Sequence, residues 1–256
     1  MEFGYIFAGF AVGLLVGLTG VGGGSLMTPL LVLLFHVKPA FAVGTDLLYA
    51  SITKSVGIFA HGKLGNIDWK IVKLLAVGSI PASIITTFYL KGLDVASPEA
   101  VSAIKFWLGV ALLLTSVSVL FRNQLIAFSK SHGWINPRLT APLTILLGLI
   151  LGVLVTLTSV GAGALGVTAL FMIYPRAPIT KIVGTDIAHA VPLTLVAGLG
   201  HASIGTVDYK LLGILLIGSI PGIWIGSHLS AKIAEHWVRI ALALILIFVG
   251  LKLILN

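Results

Sequence analysis

Cysteine is absent from all 256 residues, and aspartate and glutamate together number only eight. The first absence excludes disulfides and thiolate metal sites, and it leaves no reading of redox compartment. Charged residues of both signs make up 9% of the chain, where about 25% is usual in a soluble domain. Apolar residues take their place: 58% of the chain is hydrophobic, and the mean hydropathy is +1.13. A fold in water must still cover a large surface with polar groups. A soluble enzyme, a nucleic-acid module and a disordered chain are therefore excluded. The class left is an all-α polytopic membrane protein lodged in a lipid bilayer. The net charge of +8 then reads as an excess of cations at one membrane face, with no nucleic acid as partner. The opening Met1-Glu2-Phe3 lacks a basic n-region, so the first apolar stretch is expected to stay in the mature protein.

Apolar stretches fall near 3–35, 39–60, 71–90, 101–121, 139–174, 178–200, 211–230 and 238–255. Most match the length needed to cross a hydrocarbon core of about 30 Å. The stretches 3–35 and 139–174 are too long, at roughly 50 Å each as straight helices. Each contains a glycine-rich break. The first reads Leu18-Thr19-Gly20-Val21-Gly22-Gly23-Gly24-Ser25-Leu26, and the second Leu157-Thr158-Ser159-Val160-Gly161-Ala162-Gly163-Ala164-Leu165. Glycine costs about 1 kcal/mol in a helix interior, so the clusters mark helices that stop and restart, at Gly23 and Ala162. Each long stretch either crosses once with a kink or folds back as a hairpin. Single crossings divide the loop cations almost evenly. Fold-back leaves Lys38, Lys91, Lys105, Lys210 and Lys252 on one face and the other loop cations on the opposite one. That bias obeys the positive-inside rule. Fold-back hairpins are therefore predicted, in the cytoplasmic membrane, with both termini outside.

The sequence repeats itself at an offset of 140. Gly44-Thr45-Asp46 returns as Gly184-Thr185-Asp186, His61 as His201, and Gly78-Ser79-Ile80-Pro81 as Gly218-Ser219-Ile220-Pro221. Over 44–85, 15 of 42 ungapped positions are identical to their counterparts. The expected organisation is a first repeat over 1–128, a linker over 129–138 and a second repeat over 139–256. Each repeat would hold one glycine-broken hairpin and three crossings. An odd number of crossings inverts the second repeat, the logic of secondary transporters whose sites lie near midplane where broken helices meet. Duplication for stability alone is the plainer alternative.

A helix that restarts in a glycine cluster has backbone N–H groups without intrahelical acceptors, and its N-terminus carries about half a positive charge. Glycine lets a ligand approach that backbone. Gly22, Gly23 and Gly24, with Gly161, Ala162 and Gly163, are predicted to line an anion site. Thr19, Ser25, Thr158 and Ser159 would add hydroxyl donors. The competing reading is close helix packing, since Gly20 and Gly24 fit the G-x-x-x-G pattern.

Ionisable residues at membrane depth are costly and usually functional. Asp46, Lys54 and Asp186 lie inside predicted spans. Inversion puts Lys54 and Asp186 at similar depth, where they could pair. Thr194 stands at the counterpart of Lys54, so Asp46 lacks a matching cation and is a candidate for proton coupling. Alternatively, both aspartates cap a local helix break after Gly44 and Gly184. Asp68 and Asp208 read as N-caps, and Pro81 and Pro221 as mid-span kinks. No catalytic set, metal-ligand spacing or cofactor motif appears.

The run Gly17-Leu18-Thr19-Gly20-Val21-Gly22-Gly23-Gly24, then Pro29, then Ala42-Val43-Gly44-Thr45, resembles the sulfite exporter TauE/SafE family, also called the toluene sulfonate uptake permease family. The likeness covers nearly the whole chain. It implies a transporter that exports small sulfur-containing anions such as sulfite, sulfoacetate or related organosulfonates. In this family the residue after Gly-Thr is often Ser, whereas here it is Asp in both halves. An anion channel of the same architecture, or a permease for another small anion, is the alternative.

Overall fold

The computed structural model describes residues 2–19, 24–63, 65–132, 138–229 and 235–255. Among these residues all the regular secondary structure is helical. The first set comprises α1 (Glu2–Thr19), α2 (Gly24–Leu33), α3 (Pro39–Lys63), α4 (Trp69–Lys91) and α5 (Pro98–Leu120). A connecting helix, α6 (Arg122–His132), follows. The second set comprises α7 (Thr140–Thr158), α8 (Ala164–Ile173), α9 (Ile179–Ser203), α10 (Tyr209–Leu229) and α11 (Glu235–Leu255). The two sets match in order and nearly in length. Among the described residues six helices (α4, α5, α7, α9, α10 and α11) are long and apolar enough to cross a membrane. Their outward faces carry large apolar side chains such as Phe88, Trp224 and Phe248, each about two-thirds exposed, as a lipid-facing surface does.

The second long stretch breaks where its glycines cluster, and in both stretches the chain reverses. Phe35, just past α2, stacks on Tyr5 at the start of α1, with ring centroids 4.6 Å apart. In the second set, Tyr174 at the end of α8 lies 2.8 Å (hydroxyl to hydroxyl) from Thr144 at the start of α7. The return arms have ten residues each, or about 15 Å, half a hydrocarbon core. The second restart comes at Ala164, two residues later than expected, because Ser159 (φ 59°), Gly161 (φ 125°) and Gly163 (φ 130°) all leave the helical region. Side chains rarely adopt such φ values, so glycine suits positions 161 and 163.

One expectation needs correction. No helix breaks after Gly44 or Gly184: α3 and α9 run through both, so the aspartates that follow cap nothing locally. Pro81 and Pro221 lie in mid-helix, in α4 and α10, as expected. Helix α6 follows α5 and is tied down by Ser129, whose hydroxyl donates to the Phe171 carbonyl at 3.2 Å.

Packing between the sets follows glycine. On α1, a Cβ added to Gly9, Gly13 or Gly17 would strike the carbonyl of Leu215, Ser219 or Ile223 on α10. On α10, one added to Gly218, Gly222 or Gly226 would strike the carbonyl of Ile6, Phe10 or Leu14. The register advances in step, so the two helices run parallel with backbones in contact. The same happens between α7 and α4, where Gly148 meets the Leu75 carbonyl, Gly152 that of Ser79, and Gly78 that of Ile145. Small residues at helical spacing drive such contacts where lipid offers no hydrophobic gain.

At the centre, α3 packs on α9. Gly44 meets His201, Leu48 meets Gly198, and Ser51 lies 3.5 Å from the Val191 carbonyl. Rising numbers on one helix meet falling numbers on the other, so the pair is antiparallel. Helices α5 and α11 cross in the same sense, with Gly109 against Gly250 and Val119 accepting from Arg239. Two hydrogen bonds tie the sets reciprocally. Asp208 N–H donates to Thr45 Oγ1 at 3.0 Å, and Asp68 N–H donates to Thr185 Oγ1 at 2.8 Å. Asp68 and Asp208 cap α4 and α10 as expected, accepting from Lys70 and Leu211 N–H at 3.1 and 2.9 Å. Each threonine thus holds the first turn of a helix in the other set. Thr185→Val strands a largely buried donor and should cost about 1–3 kcal/mol. Thermal unfolding in detergent checks it, and Thr45→Val should match.

Candidate functional site

The break between α7 and α8 is buried in protein, as irregular backbone at membrane depth must be. Thr158 closes α7: its Oγ1 donates to the Leu154 carbonyl at 2.7 Å and accepts the Val160 N–H at 3.1 Å. That hydroxyl is therefore engaged at the helix end. Ser159 is the left-handed C-cap, and its buried hydroxyl has no hydrogen-bond partner. Beyond it, Gly166 N–H donates to the Gly161 carbonyl and Val167 N–H to the Gly163 carbonyl, at 3.1 and 2.9 Å. The N–H groups of Gly161, Ala162, Gly163, Ala164 and Leu165 donate no hydrogen bond among the described residues. They are five consecutive free donors at a helix start, which is what an anion requires.

Three charged side chains surround this break, and all are buried. Lys54, from α3, donates its ammonium to the Ala162 carbonyl at 2.8 Å. Asp46, two turns earlier on α3, stands beside the Ser159 hydroxyl. Its Oδ2 accepts both the N–H and the hydroxyl of Thr28 on α2, at 3.2 and 2.6 Å. Asp186, from α9, lies against Gly166 in the first turn of α8, where an added Cβ would strike Oδ1. Neither of its oxygens has a hydrogen-bond partner. Lys54 is within electrostatic reach of both carboxylates, yet among the described residues it forms a direct ion pair with neither. Its direct partner is the break itself.

Of the other anticipated site residues, Gly22 and Gly23 lie outside the described residues. Thr19 ends α1, while Gly24 and Ser25 open α2; their side chains are likewise outside what the structure describes. Asp46 nevertheless joins the two breaks, since it bonds to Thr28 on α2 and faces Ser159 at the end of α7.

Sequence reasoning missed the residues behind the aspartates. One turn after Asp186, His189 Nε2 lies 2.8 Å from Ser79 Oγ on α4. One turn after Asp46, the fully buried Tyr49 faces Ser219 on α10. Both serines sit in the repeated Gly-Ser-Ile-Pro motif, so the offset of 140 pairs Ser79 with Ser219 and Tyr49 with His189. The repeat was the available signal. His201 is structural: Nδ1 lies 2.8 Å from Thr206 Oγ1, and Nε2 lies 2.9 Å from the Thr156 carbonyl, which fixes its proton on Nε2. No group of three or more metal-ligating side chains occurs among the described residues.

Long apolar helices packed around a broken-helix centre that holds buried charges define a membrane transporter. The chain belongs to the sulfite exporter TauE/SafE family, whose model matches residues 5–253. It is 43% identical to the probable membrane transporter protein YjnA of Bacillus subtilis over 99% of this chain and all of the relative. A probable membrane transporter protein of Methanocaldococcus jannaschii is 30% identical over 98% of this chain and 94% of its own. A second from Bacillus subtilis, YdhB, is 28% identical over 96% and 97%. No solved structure matches the chain.

Proposed function

We infer that this protein is a carrier, not an enzyme, and that it moves a small sulfur-containing anion, sulfite or an organosulfonate, out across the cytoplasmic membrane. The observation that carries the anion reading is the row of free N–H groups from Gly161 to Leu165, with the Lys54 ammonium on the same backbone. A sulfur oxyanion offers several acceptors and no donors, which suits a pocket of N–H groups and one cation. Thr19, Gly22, Gly23, Gly24 and Ser25 would supply the matching wall from the first break, and Thr158, Ser159, Gly161, Ala162 and Gly163 the second. The family's description names sulfite, and export follows that description.

The two sets of helices, 1–128 and 139–256 joined through 129–138, are read as inverted-topology repeats. The antiparallel crossings of α3 with α9 and of α5 with α11, each helix paired with its own counterpart, support this. Alternating access would then come from rearrangement around the fixed central pair. Both termini lie outside in this reading.

A thermal-shift series tests it. Purified protein is titrated with sulfite, sulfate, thiosulfate, sulfoacetate, formate and chloride. A ligand of the native state raises apparent stability by about 2.7 kcal/mol at a hundredfold excess over Kd, so sulfite or sulfoacetate should shift the midpoint by several degrees. Indifference to every sulfur anion rejects the cargo. Saturable counterflow of labelled sulfite in preloaded vesicles distinguishes a carrier from an anion channel, which would conduct without exchange.

A further inference from the structure

An anion site flanked by two carboxylates and one ammonium carries a charge conflict. Asp46 and Asp186 outnumber Lys54, and all three are at least nine-tenths buried. A substrate anion entering at Gly161–Leu165 would meet Asp186 at the first turn of the same helix. At membrane depth that repulsion is hardly screened.

The two carboxylates are not equivalent. Asp46 accepts two hydrogen bonds from Thr28 on one oxygen. Asp186 accepts none on either oxygen. The groups that face Asp186 are few. From α3 there are Lys54 and, beyond it, Asp46. On its own helix there is His189, one turn away. The stretch of α7 and α8 packed against it carries no ionisable side chain. On α4 the cations Lys70, Lys73 and Lys91 are exposed, at the ends of the helix. Gly166 fills the space beside Oδ1, and the nearby ammonium opposes a second cation. Among the described residues no group of three or more metal-ligating side chains forms there, whereas a proton needs no such cluster.

We propose that Asp186 is the resident anion of the α8 N-terminus and that substrate replaces it by bringing a proton. In the empty carrier Asp186 is ionised and balances Lys54 and the free N–H groups. When the anion enters, Asp186 takes up one proton, and the substrate's charge stands where the carboxylate's charge was. The pocket holds the same total charge empty and loaded, so a monovalent anion crosses with one proton and without net charge movement. This rests on the anion site proposed above.

The test uses the full-length protein and two probes, sulfite and methanesulfonate; the second carries one negative charge throughout. In weakly buffered detergent solution, binding should take up one proton per methanesulfonate. Its affinity should fall about tenfold per pH unit as pH rises through the range where empty Asp186 is ionised. Asp186→Asn should bind with no proton uptake and a flat pH profile. In vesicles of the wild type, a pH gradient alone should drive methanesulfonate uphill, and Asp186→Asn should exchange it without accumulating it. Asp46→Asn should keep the pH slope. Wild-type counterflow without proton uptake overturns this inference and leaves the anion reading intact. The inference also falls if the pH slope vanishes in Asp46→Asn and persists in Asp186→Asn, or if accumulation is driven by sodium. Absence of both binding and exchange for the two probes rejects the anion reading, and the coupling with it.

Discussion

Gly13→Leu should leave almost no folded protein to purify. Gly13 packs its Cα on the backbone of Ser219, at the middle of the parallel seam between α1 and α10. The obstructing atoms belong to the main chain of a helix gripped on both sides by the same pattern, with Gly9 and Gly17 on α1 and Gly218, Gly222 and Gly226 on α10. A rotamer change cannot relieve such a clash. Overpacking costs about 1–3 kcal/mol where side chains can shift, and more where they cannot. Forcing the helices apart would also lose the close contacts along the whole seam, which are the main attraction between helices in lipid. Size-exclusion profiles of a fluorescent fusion in detergent should show the monodisperse peak lost. Gly213→Ala is the control. Gly213 lies on α10, the partner helix of the seam, and an added Cβ meets nothing within 4 Å, so stability should hold or rise by up to about 1 kcal/mol. Equal behaviour of the two variants would deny the seam its role.

Lys54→Met should be the most damaging single change at the site. It removes the one cation that, among the described residues, lies within reach of two buried carboxylates, and it strands the Ala162 carbonyl that the ammonium now satisfies. Breaking a buried ionic arrangement by deleting one partner costs about 3–5 kcal/mol. Scanning fluorimetry should show a large fall in the unfolding midpoint, and sulfite counterflow should vanish. Adding Asp186→Asn removes one of the stranded charges and should restore much of the midpoint without restoring transport. If the double variant unfolds where the single one does, Lys54 does not balance Asp186.

The second break and the spans were legible because lipid imposes a crude rule on length and composition, and a glycine cluster interrupts it visibly. The duplicated Gly-Thr-Asp and Gly-Ser-Ile-Pro motifs located the crossing helices and the buried aspartates. Four things were hidden. The glycine seams were missed because Gly9, Gly13 and Gly17 sit inside an apolar stretch where nothing marks the partner, and only the fold brings them to Gly218 and Gly222. Helix α6 was missed because a short polar helix gives no span-length signal and is held by tertiary contacts such as Ser129 to Phe171. The Asp46–Thr28 bond was missed because it depends on α2 folding back beside α3, and a hairpin inferred from charge bias does not say which side chains meet. Depth along the helices placed Lys54 near Asp186 but could not foretell that its hydrogen bond goes to the Ala162 carbonyl, since a carbonyl released by a helix break has no letter in the sequence.

The glycine seams reach further than packing. Each joins a helix of one set to a helix of the other, α1 with α10 and α4 with α7, so neither half of the chain contains the surface its own glycines were shaped for. Cut within α6 and expressed separately, each fragment would show bare main chain to the acyl chains, and only mixing the two would heal both scars. A half-length forebear could have met that requirement only by embracing a second copy of itself.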